Sequence, residues 1–254
     1  MVKCANVLRL MRSTSSSAFL IVALLVGCEK KQESKPADHK PNMAKPDDLK
    51  PEPVAKAGGS EGEVRPPAAD DLAGYLQGIP GSGKLMATID TSMGAFHCEL
   101  FPDKAPITIA NFVGLATGQK PWLDPKSGAV QKKPFYDGLT FHRVIPGFMI
   151  QGGDPLGVGA GGPGYNFDDE VNTGLTMKPG TLAMANAGTH RGHGSNGSQF
   201  FITEGSPDYL NNKHTIFGAC KEVELVQQIE GVPRVANDKP ETPVTIKSIT
   251  FSKG

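Results

Sequence analysis

The chain has 254 residues with 26 basic and 26 acidic side chains, so its formal net charge is zero. That balance excludes a general polyanion binder, because nucleic-acid recognition leaves a basic footprint. Gly 31 and Pro 21 both exceed ordinary usage and imply many turns and some unstructured chain, within a length that allows one or two domains.

The N-terminus reads as a processing segment. Lys3, Arg9 and Arg12 precede a short apolar core, AFLIVALLV (18–26), which is too short to span a bilayer comfortably. The core runs into LVGC (25–28) and then the polar EKKQESK (29–35). This resembles the lipobox of bacterial lipoproteins, in which cleavage precedes a cysteine that is then lipidated. An ordinary signal peptide or a retained anchor are the alternatives. The resemblance implies a signal peptide over 1–27, lipidation of Cys28, and export to the periplasmic side of a bacterial envelope. Glu29 after the cysteine slightly favours the outer membrane. Stable anchoring takes two or more acyl chains.

Residues 28–82 read as a tether. Eight prolines from Pro36 to Pro80 are spread among Lys, Glu, Asp, Ala and Gly, with few large apolar side chains to offset the entropy of ordering. Such segments act as extended spacers. Within it, DLAGYLQGI (71–79) can pack a turn onto the domain that follows.

From 83 to 254 the texture is that of a folded domain. KLMATID (84–90) and GAFHCELF (94–101) read as strands joined by the hairpin signal TSMG. Phe96, Cys98 and Leu100 alternate with His97 and Glu99, the period of a half-buried strand. APITIANFVGLATG (105–118) predicts an amphipathic helix from its early proline, its apolar Ile109, Phe112, Val113 and Ala116, and its Gly118 stop. QKPWLDPKSGAVQKKP (119–134) reads as a long surface loop. LTFHRV (139–144), FMIQG (148–152), TLAMAN (181–186), SQFFIT (198–203), HTIFGAC (214–220) and PVTIKSITF (243–251) are strand candidates, and KEVELVQQIEG (221–231) is a second helix. Many short strands with two helices predict a mainly β domain, a closed barrel with helical caps. Export permits a disulfide between Cys98 and Cys220, but nothing in the sequence brings them together, and they read as two separate buried thiols.

Three motifs fail on context. GVGAGG (157–162) matches a dinucleotide-binding pattern, but Pro163 and Gly164 follow where a helix must open, so it reads as a flexible glycine loop. HRGH (190–193) has no second cluster at metal-ligand spacing. HGSNG around Ser195 lacks the first glycine of a nucleophile elbow. No cofactor or metal is expected.

FHRVIPGFMIQGGD (141–154), MANAG (184–188) and NGSQFFIT (196–203), in that order, resemble the cyclophilins, a family of peptidyl-prolyl cis/trans isomerases. The resemblance covers residues 84 to 251. It implies a closed eight-stranded antiparallel β-barrel capped by two α-helices, with the active groove on its outer face. Carried over by motif, Arg143 is the catalytic residue. Phe148, Met149, Phe201 and Leu210 wall a proline pocket with His214 at its edge, and Gln151, Ala185, Asn186 and Gln199 grip the substrate backbone. Tyr209 stands where many eukaryotic members have tryptophan, which weakens the case for tight cyclosporin binding but not for catalysis. LNNKH (210–214) fits the family loop. His142 falls on the opposite strand face from Arg143 and reads as structural.

The implied partners are proline-containing peptides and unfolded protein clients, with the membrane reached through Cys28. A monomer is the default oligomeric state. The same groove suits a proline-peptide binding or chaperone module without turnover. A third reading is a structural envelope lipoprotein whose 119–134 loop makes its contacts.

Overall fold

The computed structural model describes residues 62–189 and 193–254. The apolar run 18–26, the lipobox with Cys28, and most of the 28–82 tether lie outside the described residues, as do 190–192 of the HRGH motif. Among the described residues no helix is long and apolar enough to cross a membrane.

The first sheet hairpin forms as the alternation predicts. Strand β1 (Leu85–Thr91) pairs antiparallel with β2 (Gly94–Leu100). The Thr91 hydroxyl donates to the Gly94 carbonyl at 2.6 Å and accepts from the Met93 amide, which closes the turn. Phe96, Cys98 and Leu100 turn inward and are buried.

Helix α2 (Pro106–Ala116) follows a five-residue helix, α1 (Asp71–Tyr75). Pro106 occupies its first turn, where a missing N–H costs nothing. The next two amides, Ile107 and Thr108, donate to the Glu170 carboxylate at 2.9 and 2.8 Å, a long-range cap that complements the helix dipole. An amphipathic helix was expected here, but every residue from Thr108 to Ala116 is buried. The reason is the segment before the barrel: α1 packs on α2, and Leu72, Tyr75, Leu76 and Ile79 join the core's margin. The part of the tether from 62 to 82 therefore includes a docked strap, and the turn anticipated at 71–79 is its centre. The 119–134 segment also differs from a plain loop. It holds a small hairpin, β3 (Trp122–Leu123) with β4 (Val130–Gln131), and buries Trp122 and Lys120.

The strands β5 (Arg143–Ile145), β6 (Met149–Gly152), β7 (Thr181–Met184), β8 (Phe200–Thr203), β9 (Ile216–Cys220) and β12 (Ile246–Lys253) complete one antiparallel sheet in the order β12-β1-β2-β9-β7-β8-β6-β5. Helix α3 (Val223–Glu230) packs against β5, β6 and β8. A further hairpin pairs β10 (Arg234–Val235) with β11 (Lys239–Pro240). The sheet curls on itself rather than closing as an eight-stranded barrel. Its end strands β5 and β12 share no ladder; the segment just before β5 approaches through an isolated bridge, Thr140 to Thr245, and through backbone bonds, the Gly138 and Phe141 amides donating to the Ile246 and Val244 carbonyls and the Ile246 amide to the Leu139 carbonyl. β5 is only three residues long, too short to run alongside β12.

Inside the curl, Phe112 meets Tyr136, Phe200, Phe217 and Phe251 with ring centroids 5.2 to 6.0 Å apart. Cys98 and Cys220 are not two separate thiols. They sit directly opposite each other on β2 and β9 and form a disulfide, S–S 2.09 Å. A sequence separation of 122 residues concealed that pairing.

The strap has its own polar fixings. Arg65 pairs with Asp71, and the Lys120 ammonium donates to the Arg65 carbonyl at 2.8 Å while lying 4.7 Å over the Tyr165 ring. Burial pulls Lys120 down to about 8. A Cβ on Gly114 would come within 2.8 Å of the Tyr75 ring. Removing residues 62–82 uncovers four apolar side chains, each contributing roughly 1 kcal/mol when partly buried. Truncation at residue 83 is expected to lower the melting temperature by about 8–16 °C, measured by thermal unfolding against the full chain.

Candidate active site

The curl leaves the sheet with two covered faces. Along β6, Ile150 and Gly152 turn inward while Met149 and Gln151 turn outward; along β8, Phe200 and Ile202 go in and Phe201 and Thr203 go out. The inward set belongs to the main core. On the outer side Met149, Met177, Ala183, Phe201 and Ile216 form a second apolar cluster, with Phe148, Ala185 and Leu210 at its margin. The four walls expected of a proline pocket are thus gathered in one place.

Register puts the charge beside them. Arg143 is opposite Gln151, Gln151 is opposite Phe201, and Phe201 is opposite Ala183. Cross-strand neighbours of this kind have Cβ atoms about 5 Å apart. Arg143, half-buried, makes one long bond, Nη1 to the Gln151 Oε1 at 3.4 Å. Among the described residues no carboxylate pairs with it. Most of its N–H donors remain available to a ligand.

Gln151 is fixed from the other side. Its Nε2 donates to the Gln199 Oε1 at 2.9 Å, and the Gln199 Nε2 donates to the carbonyls of Gly159 and Gly161 at 3.1 and 2.9 Å. The glycine loop is therefore pinned rather than free. Asp154 pins it too: this buried carboxylate accepts from the amides of Leu156, Val158 and Gly159. Burial pushes its pKa up, but the three donors outweigh that and hold it below the ordinary carboxylate value. A side chain on Gly161 would collide with Asp154, its Cβ only 2.0 Å from the carboxylate. The first acid after the arginine in sequence thus serves the loop and not the arginine.

His214 stands edge-on to Phe201, ring centroids 5.5 Å apart, with Nδ1 3.0 Å from the Met184 carbonyl. Burial lowers its pKa, so at neutral pH it is an uncharged ring with Nδ1 as the donor. His142 is buried just before β5, with its Nε2 beside Gly159 and neither ring nitrogen hydrogen-bonded to protein among the described residues; burial lowers its pKa as well. Tyr209 is 62 % exposed, with its ring 6.1 Å from that of Phe148, and forms an outer lip.

The Asn186 side chain is engaged by the protein itself. Its Nδ2 donates to Asp169 Oδ1 at 2.9 Å and to the Lys213 carbonyl at 3.1 Å, and its Oδ1 accepts from the Gly188 amide. What it can offer a peptide is its main chain. Asp169 is the organiser that sequence reading missed. One carboxylate oxygen takes bonds from Asn186, Asn196 and Thr215, which tie together the three loops walling the groove. The only sequence trace of this was the acidic run 168–170, and nothing in it distinguished a hub from a solvated turn.

Among the described residues no cluster of His, Cys, Asp and Glu gathers to hold a metal. The HGSNG serine is engaged structurally: Ser195 Oγ donates to the Gly188 carbonyl and accepts from the Ala187 amide.

The family model described as cyclophilin type peptidyl-prolyl cis-trans isomerase matches residues 86–251. Peptidyl-prolyl cis-trans isomerase A of Mycobacterium tuberculosis is 51% identical over 170 residues, which make up 65% of this chain and 91% of that protein. Peptidyl-prolyl cis-trans isomerase B of Streptomyces anulatus is 47% identical over 173 residues, 65% of this chain and 95% of that protein. A crystal structure of a Cryptosporidium parvum cyclophilin type isomerase, solved in the presence of the dipeptide Ala-Pro, superposes with a TM-score of 0.55 at 34% identity, covering 66% of this chain and 99% of that one. By sequence and by fold, the chain belongs to the cyclophilin-type peptidyl-prolyl cis-trans isomerases.

Proposed function

We propose that the chain is a membrane-tethered, monomeric isomerase that accelerates rotation about X–Pro bonds in exported proteins, with Arg143 as its catalytic residue. The observation that carries the reading is a guanidinium that pairs with no carboxylate among the described residues, set one strand from an apolar cradle of Phe148, Met149, Phe201 and Leu210.

Rotation about an X–Pro bond crosses a barrier of roughly 18–20 kcal/mol, because the nitrogen shares its lone pair with the carbonyl. The two planar states differ by only about 0.5–1 kcal/mol. No bond breaks, so no nucleophile, metal or proton relay is required. In the twisted state the lone pair returns to nitrogen, and both that atom and the carbonyl oxygen become better acceptors. A fixed guanidinium donor therefore binds the twisted amide more strongly than either planar one, which is the differential binding that catalysis needs. The apolar walls seat the proline ring and exclude water, so the charge acts across a lower dielectric. Gln151, held by Gln199, and the main chain of Ala185 and Asn186 grip the peptide on one side while the other turns. Bringing a tens-of-seconds event to milliseconds takes about 10⁴-fold, or roughly 5.5 kcal/mol.

The exported, lipid-anchored setting rests on the apolar run 18–26 and LVGC at 25–28. Slow proline isomerisation limits folding outside the cytoplasm as it does within. The competing reading is a groove that holds X–Pro segments without turnover.

Substituting Arg143→Ala is expected to cut isomerisation of a short Ala-Pro peptide by at least about tenfold, while the melting temperature stays near that of the native chain. A protease-coupled assay checks this, and a mutant as fast as the native protein would sink the assignment. Turnover at saturating peptide is expected to be nearly flat from pH 6 to 9, since the proposed mechanism has no histidine that transfers a proton; a bell-shaped profile would point to proton transfer. Replacing Cys28 with Ser is expected to move the protein from the detergent phase to the aqueous phase, read by phase partitioning of cells expressing each form.

A further inference from the structure

Arg143 is long and flexible, so its donors act on a twisting amide only if something holds them in place. Its only side-chain hydrogen bond among the described residues runs from Nη1 to Gln151 Oε1, at 3.4 Å. That bond needs Gln151 to turn its oxygen, and not its NH2, toward the guanidinium. The two ends of a side-chain amide are alike in shape and opposite in hydrogen bonding. Packing alone therefore does not choose between them, and the choice has to come from the next partner along.

Gln151 Nε2 donates to Gln199 Oε1 at 2.9 Å, and Gln199 Nε2 donates to the carbonyls of Gly159 and Gly161. Turned over, the Gln199 oxygen would face two carbonyl oxygens, so its NH2 stays toward the loop. Its oxygen then faces Gln151, and the Gln151 oxygen is left for Arg143. The loop presents carbonyls at this point because its amides are spent elsewhere. Those of Leu156, Val158 and Gly159 all donate to the buried Asp154 carboxylate, at 2.7, 2.9 and 2.5 Å. The loop closes so tightly on that carboxylate that a Cβ on Gly161 would lie 2.0 Å from Oδ1. Each bond in the series from Arg143 to Asp154 is donated in the same sense, with the cation at one end and the anion at the other.

We propose that Asp154 is a positioning residue for the isomerase. Without touching Arg143 it fixes the glycine loop, the loop fixes which way Gln199 and Gln151 turn, and the Gln151 oxygen holds the guanidinium at the edge of the apolar cradle. The proposal rests on the isomerase reading above for its consequence and on these bonds for its cause. Asp154→Asn keeps the shape of the side chain but replaces one acceptor with an NH2 that faces amide donors, so the loop lets go. Gln199 then loses the carbonyls that orient it, and a turned Gln151 sets its NH2 against the guanidinium, donor to donor.

The test uses the full chain and an Ala-Pro peptide. Asp154→Asn is expected to lower kcat by about five- to tenfold with KM changed by less than about twofold, because Gln151 offers a bound peptide a hydrogen bond in either orientation. In an Arg143→Ala background the same substitution is expected to cost less than about twofold, since no guanidinium remains to be held. Gly161→Ala keeps the carboxylate but pushes the loop off it, and should reproduce the kcat loss. In the native chain, which needs no variant to fold, the Gln199 side-chain amide should show magnetic coupling across its hydrogen bonds to the Gly159 and Gly161 carbonyl carbons. A native kcat in Asp154→Asn, an equal loss with and without Arg143, or a Gln199 amide lacking those couplings would overturn the proposal. If Arg143→Ala itself turns over at the native rate, the isomerase reading of Arg143 fails instead, and the Gln199 couplings still decide whether the loop orients the amides.

Discussion

Strands that alternate strictly between two faces cannot be indifferent to what covers each face. In β6, β7 and β8 nearly every residue is buried, so both faces must be apolar, and the second face needs a cover of its own. The loops that supply Met177 and Leu210 give part of that cover. Where the cover stops, Phe148, Leu210 and Tyr209 rim an open apolar surface. Arg143 and Gln151 share the parity of Met149 and Phe201, so the pleat itself delivers the cation to the edge of that surface. The site is a consequence of register: slipping β5 by one residue would send Arg143 into the aromatic core and Val144 to the groove.

Polar groups hold the margin of this surface still. Asp169 binds three loops through one oxygen, Asp154 takes three amides of the glycine loop, and Glu170 caps α2 from the same acidic run. Each joins segments that a solvated loop would leave to move. The proposed mechanism, which uses fixed dipoles and moves no proton, depends on such fixity, because donors that must reorient at the moment of twisting lose their advantage. The Gln151–Gln199 pair extends the same logic up to the reacting edge.

What was legible in the sequence was what short-range pattern encodes. Alternation in 94–101 foretold which side chains of β2 are buried, the TSMG hairpin formed, and both longer helices are where Pro106 and Gly118, or the 221–231 periodicity, put them. The residues singled out by the three motifs come together because they lie within short, contiguous strands and turns that pair with one another. What was not legible depends on long-range partners. Cys98 meets Cys220 only because β2 and β9 are neighbours. The end strands approach without a ladder because β5 is short. Asp154, Asp169 and Glu170 all find main-chain or loop partners that no spacing in the sequence announces. The Asn186 amide is engaged by Asp169 and by the Lys213 carbonyl, a competition that only three-dimensional neighbours reveal.

The strap illustrates the same division at the level of the domain. By composition residues 62–82 belong with the proline-rich segment, yet they give α2 its outer cover and give the Lys120 ammonium its only hydrogen-bond acceptor among the described residues. Their fixings are the Arg65–Asp71 pair, the Tyr75 ring against Gly114, and the Pro80 carbonyl that accepts from the Lys253 amide. None of these residues belongs to the groove. Groups with no shared partners contribute to stability nearly independently, so a pull transmitted along the preceding chain meets the strap's own contacts before it reaches the register of β5, β6 and β8. An extended chain can therefore be attached at this end of the domain without disturbing the one geometric relation, guanidinium beside apolar cradle, on which the proposed mechanism relies.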